Sequence, residues 1–448
     1  MMHLFTIPNL GGAHLGGWRH PDAYSDIIMN LPKNIEVAQL AERGKMDGLF
    51  LADGNGVRDM DKPELFAANF PSARPAGFDP VVLMTALATH TNRIGLVSTA
   101  TTTFDEPWFV ARRFASLDHA SAGRAGWNLV TASNPLDALN FNHTEPVGRD
   151  ERYARAEEFI EVVKGLWDSW AEDAFVQDRA AGQFLDPSRV RRLDHVGDHF
   201  RVAGPLNVAR APQGYPVVFM AGQSDRGKEL AARHADAMFG AGDSKASCQE
   251  DYADIKGRMA RYGRDPDTLR FIPGVSIFAG ETSSEADELY EQLNELISPA
   301  LGVNYLSKIV TKDLRAYPVD GPMPELEDVV IGGSSVRSFV VKMVRQENLT
   351  IRQAYQRVVP GFGSPVIKGT AKQVADQLED WYTSKACDGF MVSNPIMPVA
   401  LRRFVDLVIP ELQRRRLFRT EYEGTTLRDH MRLPKPINPH FSTNLAAE

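Results

Sequence analysis

A chain of 448 residues with a formal charge of −8 lacks the basic surface that non-specific nucleic-acid binding needs. Its composition, 43% apolar and 24% charged, is that of an ordinary soluble globular protein with ample material for a core. The length exceeds a usual domain, but α/β barrels often reach it as one unit. The only cysteines, Cys248 and Cys387, are far apart and show no Cys-x-x-Cys spacing, so neither a disulfide framework nor a zinc site is suggested. The start shows no basic leader, and no apolar run reaches the ~18 residues of a membrane span, so the chain reads as cytosolic.

Short apolar runs rich in β-branched and aromatic residues alternate with helical patterns. The first predicted strand covers 3–7, followed by a helix over 35–45 and a strand over 48–52. A helix at 80–90, a strand at 94–98, a helix at 106–121 and a strand at 125–131 continue the alternation. Residues 150–170 predict a long helix, with Ala156, Ile160, Val163, Trp167 and Trp170 on one face. Strands at 216–221, 237–240, 271–278 and 389–393 follow, with a helix ending near His234 after the first of these. Strands apolar on both sides belong to a buried parallel sheet. Eight strand-then-helix repeats favour a closed (β/α)₈ TIM barrel over an open sheet, and no GxGxxG opens the first unit.

The domain expected is a single barrel over 1–448 with three additions. Residues 176–215 carry turn chemistry and predict an excursion with a hairpin. Residues 280–364 are far too long for one crossover and predict a lid-like insertion. The proline-rich stretch 434–448 predicts an extended tail, packed on a neighbour or loose. The run Arg414-Arg415-Arg416, beside Glu411 and Glu421, reads as a solvated helix end.

Barrels place chemistry where strands end. Four ends are polar: Ala52-Asp53-Gly54, Thr99 through Phe104, Thr131-Ala132-Ser133-Asn134, and Ala221-Gly222-Gln223-Ser224. Singly, each has a structural reading, since Asp53 and Ser224 are good helix caps and a threonine cluster suits a strand end. Together they suggest more. Ser224 opens a helix, Gly222 lets backbone approach a ligand, and Tyr153 lies in the first turn of the helix after strand four. A helix N-terminus with serine and tyrosine hydroxyls makes a phosphate cradle without lysine. The threonine and asparagine side chains suit the edge of a polar heterocycle, and Ala52 and Gly222 leave room for a flat ring. His195 and His199 are four apart but span a turn, so they make no metal site. Lys368-Gly369-Thr370 has the wrong order for a P-loop; Thr370 is better read as the cap of a helix over 371–382. With no metal, nucleophile or catalytic residue identified, the chemistry falls to an organic cofactor that is flat and carries a phosphate.

The stretch Arg124-Ala125-Gly126-Trp127-Asn128-Leu129-Val130-Thr131, with Ser133, resembles a signature of the nitrilotriacetate and dibenzothiophene-sulfone monooxygenase family. That family is a branch of the luciferase-like flavin monooxygenases. Residues 41–47, 212–216, 221–227, 231–236, 408–413 and 426–428 are similar to it in the same order. The resemblance implies a bacterial-luciferase-like barrel that uses reduced FMN (FMNH₂) and O₂. A separate NAD(P)H:flavin reductase would supply the flavin, and a C4a-hydroperoxide would oxygenate a small organic substrate. It implies flavin contacts at Asp53, Thr103, Ser133, Tyr153 and Ser224. Asn134 and Gly222 join this set, although Asn134 occupies a place where relatives often have histidine. Trp18, Arg19, His20 and Phe104 are candidate substrate-pocket residues; for Arg19 and His20, loop anchoring is an equal reading. A homodimer or homotetramer is expected. A deazaflavin-dependent oxidoreductase and a non-catalytic flavin-binding subunit are the alternatives, and the substrate is left open.

Overall fold

Nine parallel strands form where these apolar runs lie, in a computed structural model that describes residues 1–8, 11–68, 76–222, 224–240, 242, 244–326, 335–361 and 363–441. They are β1 (His3–Thr6), β2 (Gly48–Leu51), β3 (Gly95–Thr101), β4 (Ala125–Val130), β7 (Val217–Ala221), β8 (Ala237–Gly240), β9 (Arg270–Gly280), β10 (Val366–Thr370) and β11 (Gly389–Ser393). Between β4 and β7, β5 (His195–Val196) and β6 (Arg201–Val202) pair as a small antiparallel hairpin inside the expected excursion. The ring runs β1-β2-β3-β4-β7-β8-β9-β11 and closes by pairing of β11 with β1. This is the eight-stranded barrel that the sequence predicts.

The ninth strand, β10, is absent from the sequence-based expectation. It pairs with the far end of β9, Ser276–Gly280, overlapping only at Ser276 with the residues of β9 that pair with β11. Only Ile367 and Gly369 in it are buried, so it lacks the continuous apolar run of the barrel strands. Thr370 caps the following helix, Ala371–Thr383, through a capping box with Gln373, as expected.

Side-chain alternation explains how each strand is used. On β4, Ala125, Trp127 and Leu129 face the helical layer. There Trp127 meets Phe114 of the helix Pro107–Ala120, and Phe159 and Trp167 of the helix Arg149–Trp167. Burying a side chain of this kind contributes roughly 1.5–3 kcal/mol. Gly126 faces inward, where a Cβ would lie 2.9 Å from Val97 and 3.2 Å from the Phe219 ring. The long helix ends at Trp167; Trp170 lies past it, in an isolated bridge with Val190.

The lower barrel interior holds Phe5, Phe50, Val97, Val217, Phe219 and Met391. Leu427, Met431 and Leu433, from a short helix (Leu427–His430) and the turn after it, plug this N-terminal mouth. Around the same mouth, one aspartate stands just before each of β2, β8 and β11. Asp47, Asp236 and Asp388 accept the amides of Leu4, Val218 and Phe271 on the adjacent strands, at 2.7, 2.9 and 2.9 Å.

Between β9 and β10 the helices Ser283–Glu295, Pro299–Val310, Ser335–Glu347 and Ile351–Val358 occupy most of the predicted insertion. Leu301, Leu306, Val340, Ile351 and Tyr355 form a separate apolar cluster there, joined by Leu65 from the loop after β2. Close approach requires glycine at 302, where a Cβ would lie 2.6 Å from the Tyr355 ring. Part of the insertion, 327–334, lies outside the described residues, as do Gln223 and the tail from 442. The tail up to Phe441 packs on its own chain rather than standing loose. Arg210 donates to the Pro436 carbonyl (2.9 Å), and Asn438 to the carbonyls of Asp168 (3.2 Å) and Trp170 (3.0 Å).

Candidate active site

At the C-terminal mouth the strand ends form the floor of a cleft of about 340 Å³. Thr99, Thr101, Thr131, Ser133, Asn134 and Ala221 line its floor, and Asp53, Arg58, Asp79, Asp105, Arg113 and Phe141 its rim. A smaller, more apolar cleft of about 220 Å³, with Ile27, Leu51, Val57, Phe78 and Leu83, shares Asp53 and Gly54 with it.

Polar groups inside the upper barrel are only partly satisfied. Asn128 Nδ2 donates to Thr99 Oγ1 (2.9 Å), which in turn donates to the Leu51 carbonyl (2.7 Å). Asn128 Oδ1, Thr103 Oγ1 and Ser276 Oγ are buried without a partner in the protein. Such groups cost about 1–3 kcal/mol each unless something else meets them, so the mouth is built to receive a polar molecule.

The helix Asp225–His234 begins beside this cleft. The Tyr153 hydroxyl lies 3.0 Å from Ser224 Oγ, and that oxygen accepts the Gly227 amide at 3.1 Å. A Cβ on Gly227 would stand 3.1 Å from both the Gly222 carbonyl and the Tyr153 hydroxyl. Gly222 and Gly227 therefore keep backbone open around the two hydroxyls. Ala221, next to Gly222 in the chain, lines the larger cleft, while Tyr153 lines a separate one with Glu157, Arg226 and Arg233.

Two arginines that sequence reasoning passed over fix the loops here. Arg152 donates to the carbonyls of Thr131 (3.0 Å) and Ala132 (2.9 Å), and Arg155 to those of Thr102 and Asp105 (2.9 Å each). Their signal was present: they flank Tyr153 at a spacing of three, in the first turns of one helix. Asp105 accepts from Arg113 (3.1 Å) and from the Thr101 amide (3.2 Å). Burial nevertheless pushes its carboxyl above the ordinary range, against the pull of Arg113 and that amide.

Of the residues singled out in the sequence, Asp53, Ser133 and Asn134 share the larger cleft, while Tyr153, Gly222 and Ser224 meet at the cradle. Asn134 is engaged as a helix cap, accepting the Leu136 amide (3.3 Å) and donating to Asp137 (2.9 Å). Phe104 stacks on Phe141 at 4.7 Å and so backs the cleft wall. Trp18, Arg19 and His20 line neither cleft. Arg19 donates to the Leu296 carbonyl (2.6 Å), and His20 Nδ1 accepts the Asp22 amide (3.2 Å), both loop-anchoring contacts. His195 pairs instead with Glu158 (2.8 Å), and among the described residues no group of three or more His, Cys, Asp or Glu is placed to hold a metal. No helix among them is long and apolar enough to cross a membrane.

A family model described as luciferase-like monooxygenase matches residues 10–386. The chain is 46% identical over 432 residues to N-acetyl-S-(2-succino)cysteine monooxygenase of Bacillus subtilis (strain 168), covering 95% of each. It is 46% identical over 445 residues to nitrilotriacetate monooxygenase component A of Aminobacter aminovorans, covering 98% of this chain and 97% of that one. The crystal structure of DmoA from Hyphomicrobium sulfonivorans matches with a TM-score of 0.87 at 29% identity, over 96% of this chain and 91% of that one. A riboflavin lyase structure with modified FMN and riboflavin matches with a TM-score of 0.82 at 30% identity, over 96% and 95%.

Proposed function

The chain belongs to the luciferase-like monooxygenase family, and from that premise we propose that it is the oxygenase component of a two-component system, using FMNH₂ made by a separate NAD(P)H:flavin reductase. The observation that carries the cofactor reading is the cradle of Tyr153, Ser224, Gly222 and Gly227, at the end of a strand whose Ala221 lines the larger cleft. The modified FMN in a related structure supports the same reading, and a relative named component A supports a divided enzyme.

The residues present fit a flat group with a phosphate. The Tyr153 and Ser224 hydroxyls and the free amides of the helix N-terminus hold the phosphate. Thr103, Ser133 and Asp53 serve the ring side, and Asn134 keeps its loop in place through its cap. When bound, the reduced flavin supplies the activation of O₂ from which one oxygen atom enters the substrate. The chain's own task is to orient ring and substrate and to exclude water, with Phe104 and Phe141 forming an apolar wall. The helices between β9 and β10 act as its lid, tied to the loop after β2 by Lys308 and Asp59 (3.4 Å).

Fluorescence titration with FMN and with deazaflavin tests the cofactor. FMN is expected to bind, and a clear deazaflavin preference would overturn the reading. Oxygen-dependent loss of nitrilotriacetate or another organic probe, with reductase, NADH and FMN supplied, tests the reaction.

A further inference from the structure

We propose that Arg58 anchors a carboxylate of the substrate, and hence that the substrate is a small organic acid; this rests on the reading of the cleft as the oxygenation site. The cleft rim carries both signs of charge. Its acids are occupied: Asp105 by Arg113 and the Thr101 amide, Asp79 as the cap of the Val82 amide (3.0 Å), Asp137 by Asn134 (2.9 Å), and Asp53 also is not free. Arg113 is in turn occupied by Asp105. Arg58 differs, since its guanidinium has no hydrogen bond or ion pair with any described residue.

The backbone around Arg58 is nonetheless held from both sides. The Asn55 carbonyl accepts from Asn140 (2.7 Å), and a Cβ on Gly56 would lie 2.7 Å from Leu136. One residue further on, the buried Asp59 pairs with Lys308 of the insertion and with Lys62 (3.7 Å). A cation presented by a fixed loop at the rim of a cleft, with its own charge unanswered, is preorganised for an anion. Tyr153 and Ser224 do not line this cleft, so a cofactor phosphate held there leaves the Arg58 rim to the substrate.

The test measures binding of metal-free nitrilotriacetate, succinate and neutral dibenzothiophene sulfone by calorimetry, on the protein with and without FMN. Turnover is then followed with reductase, NADH and O₂. The expected result is that at least one acid binds and the sulfone does not. Arg58→Gln should weaken acid binding about tenfold or more, and Arg58→Lys should fall between. For any acid that is turned over, KM should carry the loss while kcat changes less than about threefold. Failure of both acids to bind, sulfone binding in preference, or acid affinity unmoved by Arg58→Gln would each overturn the assignment. FMN titration of wild type and variants keeps the two ideas apart. Loss of FMN binding in the wild type strikes the cofactor reading, whereas the acid-binding result stands or falls without FMN.

Discussion

Asp47, Asp236 and Asp388 at one end of the barrel, and Arg58, Thr103 and Asn128 at the other, are polar groups of one chain under opposite conditions. Asp47 is fully buried and accepts from His3 (2.9 Å), the Leu4 amide (2.7 Å) and Arg419 (2.6 Å). Asp236 pairs with Arg428 at 2.8 Å, and Asp168 takes both Arg210 and the Tyr215 hydroxyl. At the other mouth Asn128 and Thr103 each leave a buried oxygen without a partner in the protein, and Arg58 leaves a charge. Satisfied polar networks hold a structure, and unsatisfied ones await a ligand. The closed end has orphans of its own, Arg419 Nη1 and both ring nitrogens of His430, so the contrast lies in its carboxylates, each of which is paired.

The strongest way to break this contrast is at Asp47. Asp47→Ala leaves Arg419 buried and unpaired and should lower unfolding stability by about 3–5 kcal/mol, read by urea denaturation. FMN affinity of the molecules still folded should not change. The same carboxyl gives a pH signature. Burial raises its pKa, but Arg419, His3 and the Leu4 amide outweigh that and hold it at about 2, below the ordinary 3.8. A depressed folded pKa means stability that is present above pH 3.8 and lost as pH falls toward 2, so the acid limb of the denaturation profile should flatten in Asp47→Asn.

At the other mouth the ordering reverses. Tyr153→Phe should weaken FMN binding about five- to tenfold while moving stability by less than ~1 kcal/mol. Ser224→Ala should weaken it similarly and, because Ser224 also caps its helix, cost about 1 kcal/mol of stability. Unchanged FMN affinity in both variants would discredit the cradle. The smallest effect belongs to Asn134→Ala, where loss of a cap on a four-residue helix should cost about 0.5–1 kcal/mol and leave FMN affinity within about twofold.

The same contrast explains what was legible in the sequence. Many residues that carry the family resemblance serve the closed end. Arg124 is buried and donates to Thr91 and to the carbonyls of Ala88, Thr91 and Ile94. Gln213 joins Asp118 to the Ala125 carbonyl, and Asp236 holds Arg428. Such motifs report a fold reliably because many contacts constrain each residue. The eight barrel strands were legible for the same reason, through continuous burial. β10 was not, because its half-exposed residues show no such run. Ser224 and Tyr153 could be found from cap and helix position. Arg58 could not, since it sits in an irregular loop whose fixed points, Leu136, Asn140 and Lys308, are remote in sequence.

The plug at the base of the barrel bears on the order of synthesis. All eight staves precede Leu427, so a nascent chain can present every one of them to the ribosome exit before the residues that seal them exist. Until then Phe5, Val97 and Phe219 face an unstoppered opening, a sticky surface on an otherwise assembled body. A chain halted just short of Leu427 would keep the residues of the candidate active site at the opposite mouth yet lose its seal, which makes this late-made segment a guard against aggregation more than a contributor to chemistry.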